Sequence, residues 1–314
     1  MKANRNLGIL LTFLTLSICF SLIILLPHKN DLRNDEFFND FNNEKLKISS
    51  YFELSPFIIE GLAGGVGAHN WTWVESQYWF GGGDGSWSNP YIIENISIDG
   101  NGVGNCLEIK FSEVYFALRY CSFYNSGTDL TDAGLRLETV SNGAVINNNC
   151  SDNGCNGIIM KDCTKNTISG NIINNNSYIR KDGAQPRGYG IHLSRCVNNT
   201  ISENIVSSNG FTGMLLEIHS DYNQILYNKG HNNIDRGLWL IGSSYNNIIG
   251  NLFCGSFLNY YESGTSGNNL KDNNFECKQP KTIIPGYSIV IIGIIIAIST
   301  ILIKKKKGIL LFHT

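Results

Sequence analysis

Asn199-Thr200-Ile201-Ser202-Glu203-Asn204 is one copy of a phrase whose repetition decides the fold. The pattern is Asn, any residue, a small or branched apolar residue, any two residues, Asn. It begins at Asn142, Asn166, Asn199, Asn223, Asn246 and Asn268, and its second asparagine falls at Asn147, Asn171, Asn204, Asn228, Asn251 and Asn273. Successive starts lie 24, 33, 24, 23 and 22 residues apart. A second mark, glycine followed by three mostly apolar residues, recurs at Gly134, Gly157, Gly190, Gly213 and Gly237, at steps of 23, 33, 23 and 24. Two marks on one beat signal a repeat architecture.

Within a unit, Gly190-Ile191-His192-Leu193 and Asn199-Thr200-Ile201-Ser202 alternate apolar and polar, which is strand spacing. The residues between are Asn, Gly, Ser and Asp, which form turns and tolerate a left-handed backbone. A coil of this length holds three short strands and three corners. Stacking coils about 4.8 Å apart pairs each strand with its copies above and below. Asparagine at one corner then meets asparagine of the next coil, and their amides can bond as a ladder. Leu135, Ile158, Ile191, Met214 and Leu238 share one inward position; Leu137, Met160, Leu193, Leu216 and Leu240 share another. The 33-residue step carries an extra polar stretch, Ser177 to Arg187, expected to leave the coil as a surface loop. An α-solenoid would need spacings of three and four, and a β-propeller a period nearer 40. The expected fold is all-β: a right-handed parallel β-helix, a solenoid, flanked by hydrophobic N-terminal and C-terminal helices.

The ends predict a membrane topology. Leu7 to Leu26 is apolar and follows Lys2 and Arg5, so residues 1–27 read as a signal peptide or signal anchor. Residues 28–46 are polar and acidic (Asp31, Asp35, Glu36, Asp40, Glu44) and read as a linker. The β-helix is expected over 47–282. Tyr287 to Ile303 reads as a transmembrane helix over 287–303, and 304–314 as a basic cytoplasmic tail opened by Lys304 to Lys307. The lipid bilayer is then a partner, and residues 28–282 lie extracellular at the cell membrane. The formal net charge is −2 with no basic patch outside the lysine run, so no nucleic acid is expected as a partner.

The stretch Phe80-Gly81-Gly82-Gly83-Asp84-Gly85-Ser86-Trp87-Ser88-Asn89-Pro90-Tyr91-Ile92-Ile93-Glu94, followed by Ile96-Ser97-Ile98-Asp99-Gly100, resembles the opening of the first coil in NosD-like and related right-handed parallel β-helix repeat proteins. The Asn-x-Ile-x-x-Asn coils fit the same repeat family of carbohydrate-binding proteins and sugar hydrolases. With the C-terminal apolar run, the chain resembles a surface-anchored archaeal member. The resemblance covers roughly residues 80 to 275. It implies three roles: a structural or recognition module at the cell surface, a polysaccharide lyase or glycoside hydrolase, or a NosD-like periplasmic accessory factor for a copper site.

The residues favour the first. A glycosidase needs two carboxylates roughly 5–9 Å apart. Glu138 and Glu217 share a repeat position but lie three coils apart, roughly 14 Å. Asp152 and Asp162 lack an aligned partner. Asp182, with Arg180, Lys181 and Arg187, is one acid where a calcium site needs several. No catalytic residue, cofactor or metal site is assigned: His192, His219 and His231 stand in separate contexts, and Met160 and Met214 occupy core positions. Whether the protein is an enzyme is left open, with a non-enzyme expected. Glycan binding is expected on one outward face: Arg136, His192 and Trp239 in one column, interleaved with Ile159 and Leu215, and Glu138, Lys161 and Glu217 in the next. Nine cysteines include Cys150 with Cys155, and Cys106 with Cys121, as disulfide candidates outside the cell. Asn70, Asn95, Asn149, Asn175 and Asn198 open Asn-x-Ser/Thr sequons, so a glycoprotein is expected, with Asn175 beside the extra loop the best acceptor.

Overall fold

The computed structural model describes residues 52–62, 65–177 and 187–277; the apolar runs at 7–26 and 287–303, the linker and the basic tail lie outside them. The chain divides into two compact units, 1–275 and 276–314, and every described strand lies in the first. Its described residues form a parallel β-helix of the right-handed type with about seven turns.

Two nine-stranded sheets form its main sides. One stacks Leu107–Ser112, Ala133–Val140, Asn156–Lys161, Ile191–Ser194, Thr212–Glu217, Arg236–Ile241 and Leu258–Ser263 in parallel register. The other stacks Tyr91–Glu94, Phe116–Arg119, Gly143–Ile146, Thr167–Ser169, Thr200–Ser202, Gln224–Leu226, Asn247–Ile249 and Asn269–Lys271. The third side is made of shorter strands and single bridges such as Asn149 to Ile172 and Ile172 to Ile205. Both inward leucine-type columns are buried, and they join Val145, Ile168, Ile201, Ile225 and Ile248 from the second sheet in one core. The ten-residue surplus leaves the coil register untouched: Thr167 pairs Thr200, and Asn166 bonds Asn199 across it.

The asparagines form buried ladders. Asn223 shows the unit. Its Oδ1 accepts from the backbone N–H and the Nδ2 of Asn199; its Nδ2 donates to the Cys196 carbonyl of the coil before and to Asn246 Oδ1 of the coil after. All four valences of the amide are used, as an amide sealed from water requires. This ladder runs from Asn166 through Asn199, Asn223 and Asn246 to Asn268. A second runs through Asn148, Asn171, Asn204, Asn228, Asn251 and Asn273. A third, on the remaining corner, joins Asn153, Asn176, Asn209 and Asn233. Asn142 and Asn147 differ from the expectation: the 24-residue steps after them slip one residue. Gly143 and Asn148 take the ladder places, bonding Asn166 and Asn171, while Asn142 and Asn147 become left-handed corner residues.

The N-terminal end of the core is closed by aromatic rings. Helix Trp71–Glu75 is capped by Asn70, whose Oδ1 accepts from the Trp73 N–H. Trp71 stacks on Tyr91, with centroids 5.1 Å apart, and donates Nε1–H to Ser112 Oγ at 2.9 Å. The glycine-rich segment turns here. Phe80–Gly82 pairs antiparallel with Tyr91–Glu94, and a Cβ on Gly83 would lie 2.0 Å from the Pro90 carbonyl oxygen. Only glycine permits that approach at φ +100°.

The expected bridges Cys150–Cys155 and Cys106–Cys121 do not occur: all four are free, buried thiols, as are Cys163 and Cys196. Cys121 and Cys150 also stand in different columns, because Ser122 rather than Cys121 aligns with Asn149. Cys254 is disulfide-bonded. In a fully satisfied ladder, Asn223→Leu strands the Asn199 N–H, the Cys196 carbonyl and one side of Asn246. The expected loss of unfolding free energy is more than about 2 kcal/mol, since each orphaned buried group costs about 1–3. A denaturation midpoint unchanged by the substitution would show that the ladder adds nothing to stability.

Candidate functional site

The outward face of the first nine-stranded sheet carries two columns set by register. Glu108, Arg136, Ile159, His192, Leu215, Trp239 and Tyr261 are successive partners along the axis. Beside them run Lys110, Glu138, Lys161, Ser194, Glu217, Ile241 and Ser263. Period-two alternation puts these side chains opposite the core leucines. The face is not uniformly open: Ile159 and Leu215 are 5% and 2% exposed, so they separate the charged groups instead of joining a continuous polar ladder.

The six expected binding residues fall into three groups. Arg136 pairs with Glu108 at 3.2 Å and Glu138 at 2.8 Å, and Lys161 pairs with the other Glu138 oxygen. Burial would lift the Glu138 carboxyl, but hydrogen bonds from Arg136 and Lys161 outweigh it and hold the group below the usual range. One step along the axis, beyond Ile159, His192 Nε2 meets Glu217 Oε1 at 3.0 Å. The hydrogen bond from His192 holds the Glu217 carboxyl down against its partial burial. At the far end Trp239 lies under Arg236, whose guanidinium carbon is 3.8 Å from the ring centre. Arg236 also pairs with Asp235. Glu138 and Glu217 are separated by three register steps, and each carboxylate is engaged by a cation or imidazole.

Sequence reasoning missed several residues that complete this face. Tyr189 lies 4.9 Å from the His192 ring and 5.8 Å from Phe211; Phe211 is 6.2 Å from Trp239, which is 6.5 Å from Tyr261. The result is a track of four rings, Tyr189, Phe211, Trp239 and Tyr261, rising along the solenoid. Tyr189 and Phe211 precede the repeat glycines at the corner, where the two-residue alternation breaks, so a strand-parity reading overlooks them. Burial pushes the Tyr189 phenol up to about 12, so it is a neutral hydrogen-bond donor at ordinary pH. Bidentate Arg195 to Asp162, 2.6 and 2.9 Å, adds an exposed ion pair at the next corner.

The family profile described as "Periplasmic copper-binding protein (NosD)" matches residues 87–286, well over half of the 314-residue chain. The chain belongs to the NosD family. No curated protein matches this NosD-family chain. Similar solved structures include the periplasmic alginate epimerase AlgG (13% identity, TM-score 0.45, 58% of this chain and 50% of that one). Tailspike protein 2 from Escherichia coli O157:H7 bacteriophage CAB120 gives 16% identity, TM-score 0.42 and coverage of 57% and 25%. XylC, solved in complex with xylose, gives 13%, 0.41, 57% and 36%. The chain therefore spans half or less of the length of these relatives.

Among the described residues of this NosD-family chain, the donor set does not fit a resident copper. Among the described residues no three His, Cys, Asp or Glu side chains converge as a metal site. His192 is held by Glu217, and burial pushes Cys106 and Cys121 up to about 12 and Cys155 up to about 11. Thiols so held resist becoming the thiolates that soft metals take. Among the described residues no helix is long and apolar enough to cross a membrane.

The outer-face carboxylates make acid sensitivity specific. Glu138 and Glu217 have native values below their unfolded ones, so their stabilisation is complete above about pH 4.5. It is lost as pH falls through the depressed native values. Tm should therefore drop on acidification below about pH 4.5. The Glu217→Gln variant should start lower and lose less over the same range. An acid slope identical to wild type in a pH-resolved melt would show that the His192 contact is uncoupled from folding.

Proposed function

We propose that the outer face of the long sheet binds an extended glycan without turning it over, as a recognition module held at the cell surface by the apolar segments 7–26 and 287–303. The single observation that carries the reading is the ring track from Tyr189 to Tyr261. Its spacing of about 6 Å suits successive sugar rings, which stack their C–H faces on aromatic rings and bond through hydroxyls. Flanking charges already satisfied by one another, Arg136 with Glu138 and His192 with Glu217, offer remaining lone pairs and N–H groups to neutral hydroxyls.

Trp239 has two roles in this reading. One ring face is committed to Arg236 and the indole Nε1 is buried, so a ligand would use the remaining part of the half-exposed ring. Trp239→Ala should abolish glycan retention and lower Tm modestly, whereas His192→Ala should weaken retention less. Retention of a glycan-array hit by full-length protein, measured beside a turnover assay, tests this. Unchanged retention in Trp239→Ala sinks the track as the binding surface.

A carbohydrate-active reading has one observation in its favour: a neutral phenol, Tyr189, beside an imidazole oriented by a carboxylate, the pairing that acid–base chemistry uses. Turnover that dies in His192→Ala while retention survives would replace the recognition reading with this one. For topology, protease added to intact cells should remove the coil domain and leave the tail bound to the membrane. A tail digested from outside would reverse the orientation.

A further inference from the structure

Four tyrosines sit where a tyrosine is costly. Tyr120, Tyr222, Tyr227 and Tyr245 occupy coil corners at φ +54° to +59°, in the left-handed region. A side chain there costs about 1–2 kcal/mol relative to glycine, and asparagine is the residue that bears it best. Most other corners obey that rule with Asn, Asp or Gly. These rings are also exposed, 40% for Tyr120 and 51% and 52% for Tyr222 and Tyr245, so burial does not offset the strain.

The rings are ordered along the axis. Tyr245 lies against the corner Gly267 of the next coil, where an added Cβ would come within 2.6 Å of its Cδ1. Tyr222 stacks on Tyr245 with centroids 5.1 Å apart and planes 10° apart. One face of Tyr222 is thus covered, and the other turns toward the preceding coil. The residue in that corner is Asn198, fixed by the pairing of Thr200 with Gln224 and by the bond from the Asn198 N–H to the Asp221 carbonyl. Asn198 is exposed, has φ +58°, and its side-chain amide makes no hydrogen bond among the described residues. It opens the sequon Asn198-Asn199-Thr200.

A second sequon asparagine, half-exposed, also stands one coil before a corner tyrosine, though none of the ring contacts among the described residues involves Tyr120. Asn95, at φ +56°, stands one coil before Tyr120, because Glu94 pairs with Arg119, and it opens Asn95-Ile96-Ser97. The remaining sequons lack it. Asn70 is committed to the helix cap, Asn149 holds its Oδ1 buried, and Asn175 donates to Asp152 in a corner column without a tyrosine.

We propose that Asn198 carries an N-linked glycan whose first sugar stacks on the open face of Tyr222, with Asn95 under Tyr120 a second site of the same design. The proposal rests on the extracytoplasmic location given under Proposed function. The coil spacing of about 4.8 Å places a sugar on Asn198 at stacking distance from the next corner ring. The donor is an oligosaccharide linked to a lipid diphosphate. The C1–O bond to the diphosphate breaks, a bond from C1 to Asn198 Nδ2 forms, the amide gives up one proton, and the lipid diphosphate leaves. Tyr222 and Tyr120 are thereby explained as sugar platforms at the two corners where an acceptor asparagine precedes them.

Glycopeptide mapping of the full chain isolated from its own membranes should find Asn198 occupied. Enzymatic removal of the sugar should then lower Tm. In Tyr222→Asn, which suits the left-handed corner, the sugar-free protein should melt close to the sugar-free wild type, but the drop on deglycosylation should shrink at least twofold. An unmodified Asn198 beside other occupied sequons overturns the proposal and leaves the location standing. If all five are bare the proposal also falls, and protease treatment of intact cells decides whether the location falls with it. A deglycosylation drop that is the same in Tyr222→Asn overturns the stacking.

Discussion

Each coil of this protein is held to the next by asparagine amides sealed from water. A buried amide has two donors and two acceptor lone pairs, and in dry surroundings an unmet one costs about 1–3 kcal/mol. Asn199, Asn204 and Asn209 meet that demand only because a copy of the same side chain stands in register in the next coil. The requirement fixes everything else. Coils must be stacked without slippage, insertions must be expelled at one corner, and strands between corners must stay short. Across the extra residues between Asn176 and Gly188 the register holds: the bond from Asn176 to Asn209 Oδ1 has the same distance as in uninterrupted coils.

The ladder divides the work of the side chains. Because the corners carry the directional bonds, the core can be filled by any apolar group of suitable volume, and cysteine serves as one. Cys106, Cys121, Cys150, Cys163 and Cys196 are buried thiols packed among Ile, Leu and Val. The same burial that makes them good filler pushes the Cys106, Cys121, Cys150 and Cys196 thiols up, which holds their protons on and removes these four as metal ligands. The outer face, which carries no asparagine ladder, is where the chain varies from coil to coil. There Arg136, His192 and Trp239 occupy one register position with three different chemistries.

Repetition explains what could be read in advance. A period marked twice, by asparagine and by glycine, states the strand lengths, the corner positions and the inward columns, since every coil must repeat the same solution. The departures are local. Asn142 and Asn147 were one place off because a 24-residue coil can hold its extra residue on either side of a corner. The third ladder, Asn153, Asn176, Asn209 and Asn233, keeps the same steps of 23, 33 and 24 residues and was as legible as the other two. The cysteine bridges failed because Cys106, Cys121, Cys150 and Cys155 are each taken into the packed interior as free thiols.

The sequence by itself determined the coil: a local rule, repeated, has one global outcome, and the outward column of Arg136, His192 and Trp239 follows from parity alone. Only the tertiary structure decided which neighbours those residues have. The pairing of His192 with Glu217, the Arg236 guanidinium over Trp239, and the track through Tyr189 and Phe211 all join residues from different coils or from corners where alternation breaks. Likewise, that Tyr222 stacks on Tyr245 depends on the left-handed corners at which both stand. Spacing along a chain encodes which positions are equivalent; it does not encode how side chains of unlike length meet across the 4.8 Å between coils.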